Sequence, residues 1–127
     1  MEDGLKDLRE IIGSLDIEAE QDPEECFLKV MLFQLEAVRK YKNTTFVFCR
    51  MLMEDEECRR IQALYDQEIS AVLEKIQEKW DFTIKRSRTW LEHTIGGAFL
   101  HIVILTPEED WESSVRETVG GILDMMR

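Results

Sequence analysis

The chain has 127 residues, of which 44% are hydrophobic and 34% are charged, and this composition is typical of a folded domain rather than of a disordered chain. Its 16 basic side chains stand against 27 acidic ones, giving a formal net charge of −11. This balance argues against a general nucleic-acid binder and against a protein held on anionic lipid by charge alone, because both need a positive surface. The length suits one domain, so residues 1–127 are expected to form a single compact unit.

Three features indicate an intracellular protein, in the cytoplasm or the nucleus. The first residues, 1–6, lack the basic start and apolar run of a secretory signal. The longest nearly uncharged stretch, 94–106, is shorter than the about twenty residues that a membrane-spanning helix needs. The three cysteines have irregular spacing and form no C-x-x-C pair, which favours reduced thiols over a disulfide framework.

Two helices are predicted in the first third of the chain. Apolar residues at steps of three and four predict a short amphipathic helix over 4–15, followed by an acidic loop at 17–21. Asp22 can cap the next helix, and Pro23 suits its first position. A helix is therefore predicted over 23–42.

The stretch 44–53 is predicted to be a strand. Its residues Thr45 to Cys49 are rich in β-branched and aromatic side chains, and both alternating faces are apolar. Such a pattern is typical of a strand that is buried on both sides. The run is also short enough to be a buried helical turn that leads into the next element.

The stretch 55–80 has a clearly helical pattern. Apolar residues form one broad stripe, and most charged residues lie outside it. The members of the stripe are Cys58, Ile61, Tyr65, Ile69, Val72, Ile76 and Trp80. A stripe of this width predicts a helix that lies on a core.

A β-hairpin is predicted after this helix. Two β-prone runs, 82–93 and 98–105, flank the sequence Ile95-Gly96-Gly97, and a glycine pair between such runs favours an antiparallel turn. The second run is almost wholly apolar and would be the central strand. The first carries basic residues that would protect a sheet edge from unwanted pairing.

The last predicted helix covers 107–126, after Pro107 and two acidic residues. The predicted order is α-α-β-α-β-β-α, an α+β fold with about four helices packed on a small antiparallel sheet. The alternative is an all-α bundle of six or seven helices, which follows if 44–53 and 82–105 are helical.

No catalytic signature is found. The glycine pairs at 96–97 and 120–121 match neither phosphate-binding loop pattern, and no serine lies in a nucleophile elbow. Cys49 and His101 are the Cys–His pair to consider, although a buried thiol usually packs rather than reacts. The acidic runs lack the spacing of a calcium loop. The sequence therefore predicts no enzyme, cofactor or metal, with a small enzyme or ligand-binding protein that uses Cys49, His93 or His101 as an alternative.

One local cluster combines basic and aromatic side chains: Lys85, Arg86, Arg88 and Trp90. It could contact a phosphate group or an acidic peptide, with Trp90 as a stacking surface. The simpler interpretation is a solvated face whose charges pair with the protein's own acids. Nucleic acid is an improbable partner for a chain of this net charge.

A surplus of apolar residues suggests a binding surface. Phe27 and Met31 on the second helix and Trp111 on the last helix are candidate partner-binding residues. The functional hypothesis is an intracellular protein-interaction module, either an adaptor, a regulatory subunit or an inhibitor, that also forms a homodimer. Its partner would add a strand to a sheet edge at 83–90 or place a helix in a groove lined by the second and last helices. An all-helical regulator that binds an amphipathic partner helix is the alternative.

Overall fold

A computed structural model describes residues 2–127 and shows six α-helices, with no strand among these residues. Helical residues make up 81% of the structure. The helices are α1 (Glu2–Ser14), α2 (Pro23–Lys40), α3 (Lys42–Met51), α4 (Glu56–Lys79), α5 (Arg88–Leu105) and α6 (Trp111–Met126). A short 3-10 turn, Glu108–Asp110, precedes α6.

The four helices that periodicity predicts are confirmed as α1, α2, α4 and α6. The predicted cap of α2 is also confirmed, because Asp22 Oδ1 accepts a hydrogen bond from the Glu24 backbone N–H at 2.8 Å. Asp55 begins α4 in the same way and accepts from the Glu57 N–H at 2.9 Å. In both helices acidic residues occupy the first turn, where negative charge stabilises the helix dipole.

The predicted α+β fold is wrong, and the alternative all-helical bundle is what the structure shows. There is no sheet in residues 2–127, so the proposed addition of a partner strand at 83–90 has no sheet edge to use. Intrinsic β-propensity spans only about 1 kcal/mol, and burial of a helical face overrides it in both misassigned stretches.

Helix α3 replaces the predicted strand at 44–53. Thr45 and Phe48 are buried, three residues apart on one helical face. Phe46 and Val47 lie between them and are exposed to solvent. The apparent strand pattern therefore arose from two apolar residues that do not face the core at all.

Helix α5 replaces most of the predicted hairpin. Ser87 caps it by accepting a hydrogen bond from the Trp90 N–H at 3.1 Å. Leu91, Ile95 and Ile102 are buried at steps of four and seven along one face. Gly96 and Gly97 lie inside this helix and form no turn.

The short segment 81–87 between α4 and α5 is held by side-chain and backbone contacts. The Gln77 side chain bonds both backbone groups of Arg86, at 3.0 and 3.1 Å. Phe82 is buried, and the Ile84 N–H donates to the Met126 carbonyl at 3.0 Å. The first half of the predicted edge strand, 82–87, is therefore a loop that packs on the ends of α4 and α6, and its second half, 88–93, begins α5.

The packing of the helices leaves one end of the bundle less filled. Helix α4 lies along α5, α2 lies along α6, and α1 packs on both α2 and α4. The core is continuous through all six helices. Helix α3 has only ten residues and only two buried side chains, so it covers the neighbouring ends of α2 and α5 incompletely.

Candidate functional site

An open cleft of about 280 Å³ lies where α1, α2, α3, α4 and α5 meet, and we refer to it as the cleft. Its walls come from the second half of α2, one side of α3 and the second half of α5. The main apolar side chains in these walls are Phe33, Val38, Tyr41, Phe48, Leu100 and Val103. An apolar concavity of this size is a common form of binding site.

The cleft exists because the chain breaks between α2 and α3 at Tyr41. The backbone of Tyr41 leaves the helical region, with φ −117° and ψ 42°, and α3 continues in a new direction. The Tyr41 side chain is 54% exposed although it lines an apolar wall. The Lys40 ammonium lies 5.3 Å from the centre of its ring.

Two carboxylates mark the solvent edge of the cleft. Asp3 and Asp7 lie one turn apart on α1, line the cleft and are exposed. Neither forms an ion pair with another residue in the described part of the chain. We refer to this pair as the acidic mouth.

Tyr65 of α4 lines the cleft beside the acidic mouth. Burial, with a smaller contribution from Asp7, raises the pKa of the Tyr65 phenol to about 12, so the hydroxyl stays protonated. Gly4 allows the close approach of α1 to this hydroxyl, because a Cβ at position 4 would overlap the Tyr65 oxygen. The Tyr65 hydroxyl therefore lies against the backbone of α1 at Gly4.

Part of the cleft lining is polar. Gln34 and Gln62 line both the cleft and a smaller adjoining cavity of about 20 Å³, which ends at Asp66 of α4 and Gly96 of α5. Gln62 Nε2 donates to Asp66 Oδ1 at 3.0 Å. We refer to Gln34, Gln62 and Asp66 as the polar floor.

The polar floor has unmet hydrogen-bonding capacity. Gln34 Oε1 is inaccessible to solvent and has no hydrogen-bond partner in residues 2–127. A buried acceptor of this kind costs about 1–3 kcal/mol. Burial raises the pKa of the Asp66 carboxyl to about 6, an effect that Gln62 and His93 oppose and Glu92 reinforces.

The residues considered for nucleophilic chemistry lie on two helices, Cys49 on α3 and His93 and His101 on α5. Cys49 lines the cleft, but burial raises the pKa of its thiol and so disfavours the reactive thiolate. His93 and His101 are both exposed on α5. Among the side chains that the structure describes, residues 3–127, no group of three or more His, Cys, Asp or Glu is placed to hold a metal ion.

The structure places the basic cluster in the α4–α5 loop and the first turn of α5, where two of its three charges have carboxylate partners. Lys85 pairs with Asp81 at 3.8 Å, and Arg88 pairs with Glu74 at 3.0 Å. The Arg86 guanidinium lies 4.8 Å from the centre of the Trp90 ring. The cluster does not line the cleft.

Phe27, Met31 and Trp111, the apolar partner-binding candidates, are buried in the core. Phe27 and Met31 pack between α2, α5 and α6 around a cavity of only about 10 Å³. The Trp111 Nε1–H donates to the Thr106 carbonyl at 2.9 Å. This contact ties the start of α6 to the end of α5, so all three residues hold helices together.

Sequence reasoning missed the acidic mouth and the polar floor. Asp3 and Asp7 are ordinary helix-start acids until the fold brings them to the cleft. A signal did exist on α4, where Gln62 and Asp66 are four residues apart beside the apolar stripe and could have been recognised as an interacting pair.

Comparison with known proteins shows no relative of this chain: no protein-family model, curated protein or solved structure matches it. Among residues 2–127, none of the helices combines the length and the apolar character that crossing a bilayer requires.

Proposed function

We propose that this chain is a protein-interaction module that binds a basic amphipathic helix of a partner protein in the cleft. The observation that carries the proposal is an open apolar cleft between five helices with two exposed carboxylates at its edge. The proposed role is binding without catalysis, since the one cysteine in the cleft has a raised thiol pKa. Three free cysteines support an intracellular location.

The shape and polarity of the cleft suit the apolar face of a helix. A volume of about 280 Å³ is nearly twice that of a known protein cavity of about 150 Å³ that binds benzene, so the cleft has room for roughly two large apolar side chains. A helix delivers such side chains at i, i+3 or i+4, and i+7, all on one face. Exposed apolar residues around a concavity are typical of an interaction site.

Charge favours a basic partner. Asp3 and Asp7 lie at the edge of the cleft without cationic partners in the described residues, and the whole chain carries a net charge of −11. Such a field accelerates the approach of a positively charged partner and disfavours an acidic one. Lysine or arginine on the polar side of the bound helix would lie against the acidic mouth.

A displayed library of amphipathic helices tests the proposal directly. The apolar positions of the library are fixed at the spacing above and the remaining positions are randomised, so that selection against the full chain reports the preferred charge. We expect the selected peptides to be rich in lysine and arginine. The affinity of these peptides is then measured for the wild-type chain and for two variants of the chain, both with a substitution on α5.

Leu100→Glu places a carboxylate inside the cleft, whereas Leu105→Glu places one at a position that is 68% exposed and does not line it. We expect Leu100→Glu to weaken binding by about a hundredfold or more, and Leu105→Glu to leave it within about threefold. Circular dichroism shows whether each variant keeps its helices. A library without binders, binders that Leu100→Glu does not affect, or a cleft already filled by a second copy of the chain would overturn the proposal.

A further inference from the structure

The polar floor is an unusual feature at the base of an apolar cleft. Gln34 comes from α2, Gln62 and Asp66 come from α4, and the backbone of α5 at Gly96 closes the space. The adjoining cavity shares Gln34, Gln62 and Phe99 with the cleft. A group in the cleft that extends past these shared side chains therefore comes to Asp66.

Two groups of the polar floor have free capacity to accept hydrogen bonds. Gln34 Oε1 is buried without a partner, and Asp66 receives one hydrogen bond, from Gln62, at 3.0 Å. In residues 2–127 no lysine or arginine forms an ion pair with Asp66. A ligand that brings hydrogen-bond donors and a positive charge would satisfy both groups together.

The size of the space selects the kind of cation. The adjoining cavity measures about 20 Å³, which is close to the space that one water molecule needs. An ammonium group is compact and has three rotatable donors, whereas a guanidinium is a wide planar fork. The long apolar stem of lysine can lie along the walls of the cleft while its head group reaches the floor.

We propose that the polar floor is a subsite for the ammonium group of one lysine on the apolar face of the bound helix, held by Asp66 and Gln34. This inference rests on the proposed function and adds a specificity rule to it. The bound helix has one lysine among its apolar anchors, apart from the basic residues that face the acidic mouth.

A lysine scan of a selected peptide tests the subsite. Each apolar anchor of the peptide is replaced in turn by lysine and, separately, by methionine, and affinities are measured for the wild-type chain, Asp66→Asn and Glu117→Gln. Glu117 is exposed on α6 and away from the cleft, so this control removes the same charge without touching the floor. We expect one anchor position at which the lysine peptide binds the wild type and Glu117→Gln at least about tenfold more tightly than it binds Asp66→Asn.

A second variant and a pH series keep the test independent of one substitution. Gln34→Leu removes the unpartnered acceptor, and we expect it to reduce the preference for lysine over methionine at the same position. Lowering the pH from about 7 to about 5 protonates Asp66 and should weaken the lysine peptide more than the methionine peptide. Glu92 and His93 of α5 also act on Asp66. The Asp66→Asn chain retains both residues, so its pH series gives the part of the change in peptide affinity that does not come from Asp66.

The outcomes separate the subsite from the cleft. If the parent peptide binds but lysine weakens binding equally at every anchor in wild type and Asp66→Asn, the subsite is wrong and the cleft proposal stands. If no peptide binds the wild-type chain, both proposals are wrong.

Discussion

Gly96 of α5 lies so close to Asp66 of α4 that a Cβ at position 96 would be 2.7 Å from the Asp66 Oδ1 atom. Because Gly96 has no side chain, the Asp66 carboxylate can lie against the backbone of α5. The adjacent Gly97 is different, because a Cβ there would meet no atom within 4 Å outside its own helix turn. The two glycines therefore serve as a matched pair for mutation.

Alanine at these two positions should have different effects on stability. Gly97→Ala is expected to raise the free energy of unfolding by about 0.5–1 kcal/mol, because alanine is the better helix former. Gly96→Ala gains the same helix propensity but crowds Asp66, so it should be about 1–2 kcal/mol less stable than Gly97→Ala. Urea unfolding followed by circular dichroism measures both values. Equal stabilities of the two variants would show that Asp66 of α4 does not lie against Gly96 of α5.

The carboxyl of Asp66 should make stability depend on pH in an unusual direction. Its pKa is raised from 3.8 to about 6 in the folded chain, so the folded state holds the proton more tightly than the unfolded state does. This group therefore favours folding below about pH 4, and its contribution is lost as the pH rises through about 6.

The Asp66→Asn substitution isolates this contribution. Asparagine keeps an oxygen that can accept from Gln62, but it cannot ionise. We expect the variant to be more stable than wild type by on the order of 1–2 kcal/mol at pH 7, after allowance for partial solvent screening, and by much less at pH 4. Unfolding curves at the two pH values give the comparison. A stability difference that does not change with pH would contradict the raised pKa.

The helices with one clear apolar stripe could be predicted from sequence, and the rest could not, for a physical reason. In α4 the buried residues Ile61, Tyr65 and Ile69 recur every four residues, so the period is visible without the structure. In α5 apolar residues occur on all sides from 98 to 105, and no period can be recognised. Only the packing of α4 and α6 on this helix decides which of its residues are buried.

The cleft is harder to predict than the helices because it depends on distant segments. Asp3 and Leu100 are 97 residues apart in the sequence, yet both line it. Phe27 and Met31 looked like surface candidates because the sequence cannot say how many neighbours an apolar helix has. Their burial between α2, α5 and α6 is a property of the tertiary packing.

The acidic mouth should control how fast the partner helix associates. The double variant Asp3→Asn/Asp7→Asn removes both carboxylates, and we expect it to weaken a selected basic peptide roughly threefold or more, mainly through a slower association rate. The effect should shrink as the salt concentration rises. Glu109→Gln/Glu117→Gln removes two exposed charges away from the cleft and is the control. Equal effects of the two double variants would mean that only net charge matters.

The basic cluster should not take part in helix binding. Lys85 and Arg88 are already paired with Asp81 and Glu74, and they lie outside the cleft. Replacing Lys85, Arg86 and Arg88 together with alanine should change the affinity for a selected peptide by less than about twofold, since exposed ion pairs contribute little. Fluorescence anisotropy with a labelled peptide measures the change. A loss of binding would point to the loop 81–87 as the interaction surface.

A map of the residues that a bound helix perturbs shows most directly whether the helix binds in the cleft. Backbone amide signals of the isotope-labelled chain are recorded during titration with the tightest selected peptide. We expect the largest shifts to fall on residues of the cleft, such as Phe33, Thr45 and Leu100, with small shifts along the exposed side of α6. Shifts that centre on the loop 81–87 or on α6, and leave the cleft unchanged, would contradict binding in the cleft.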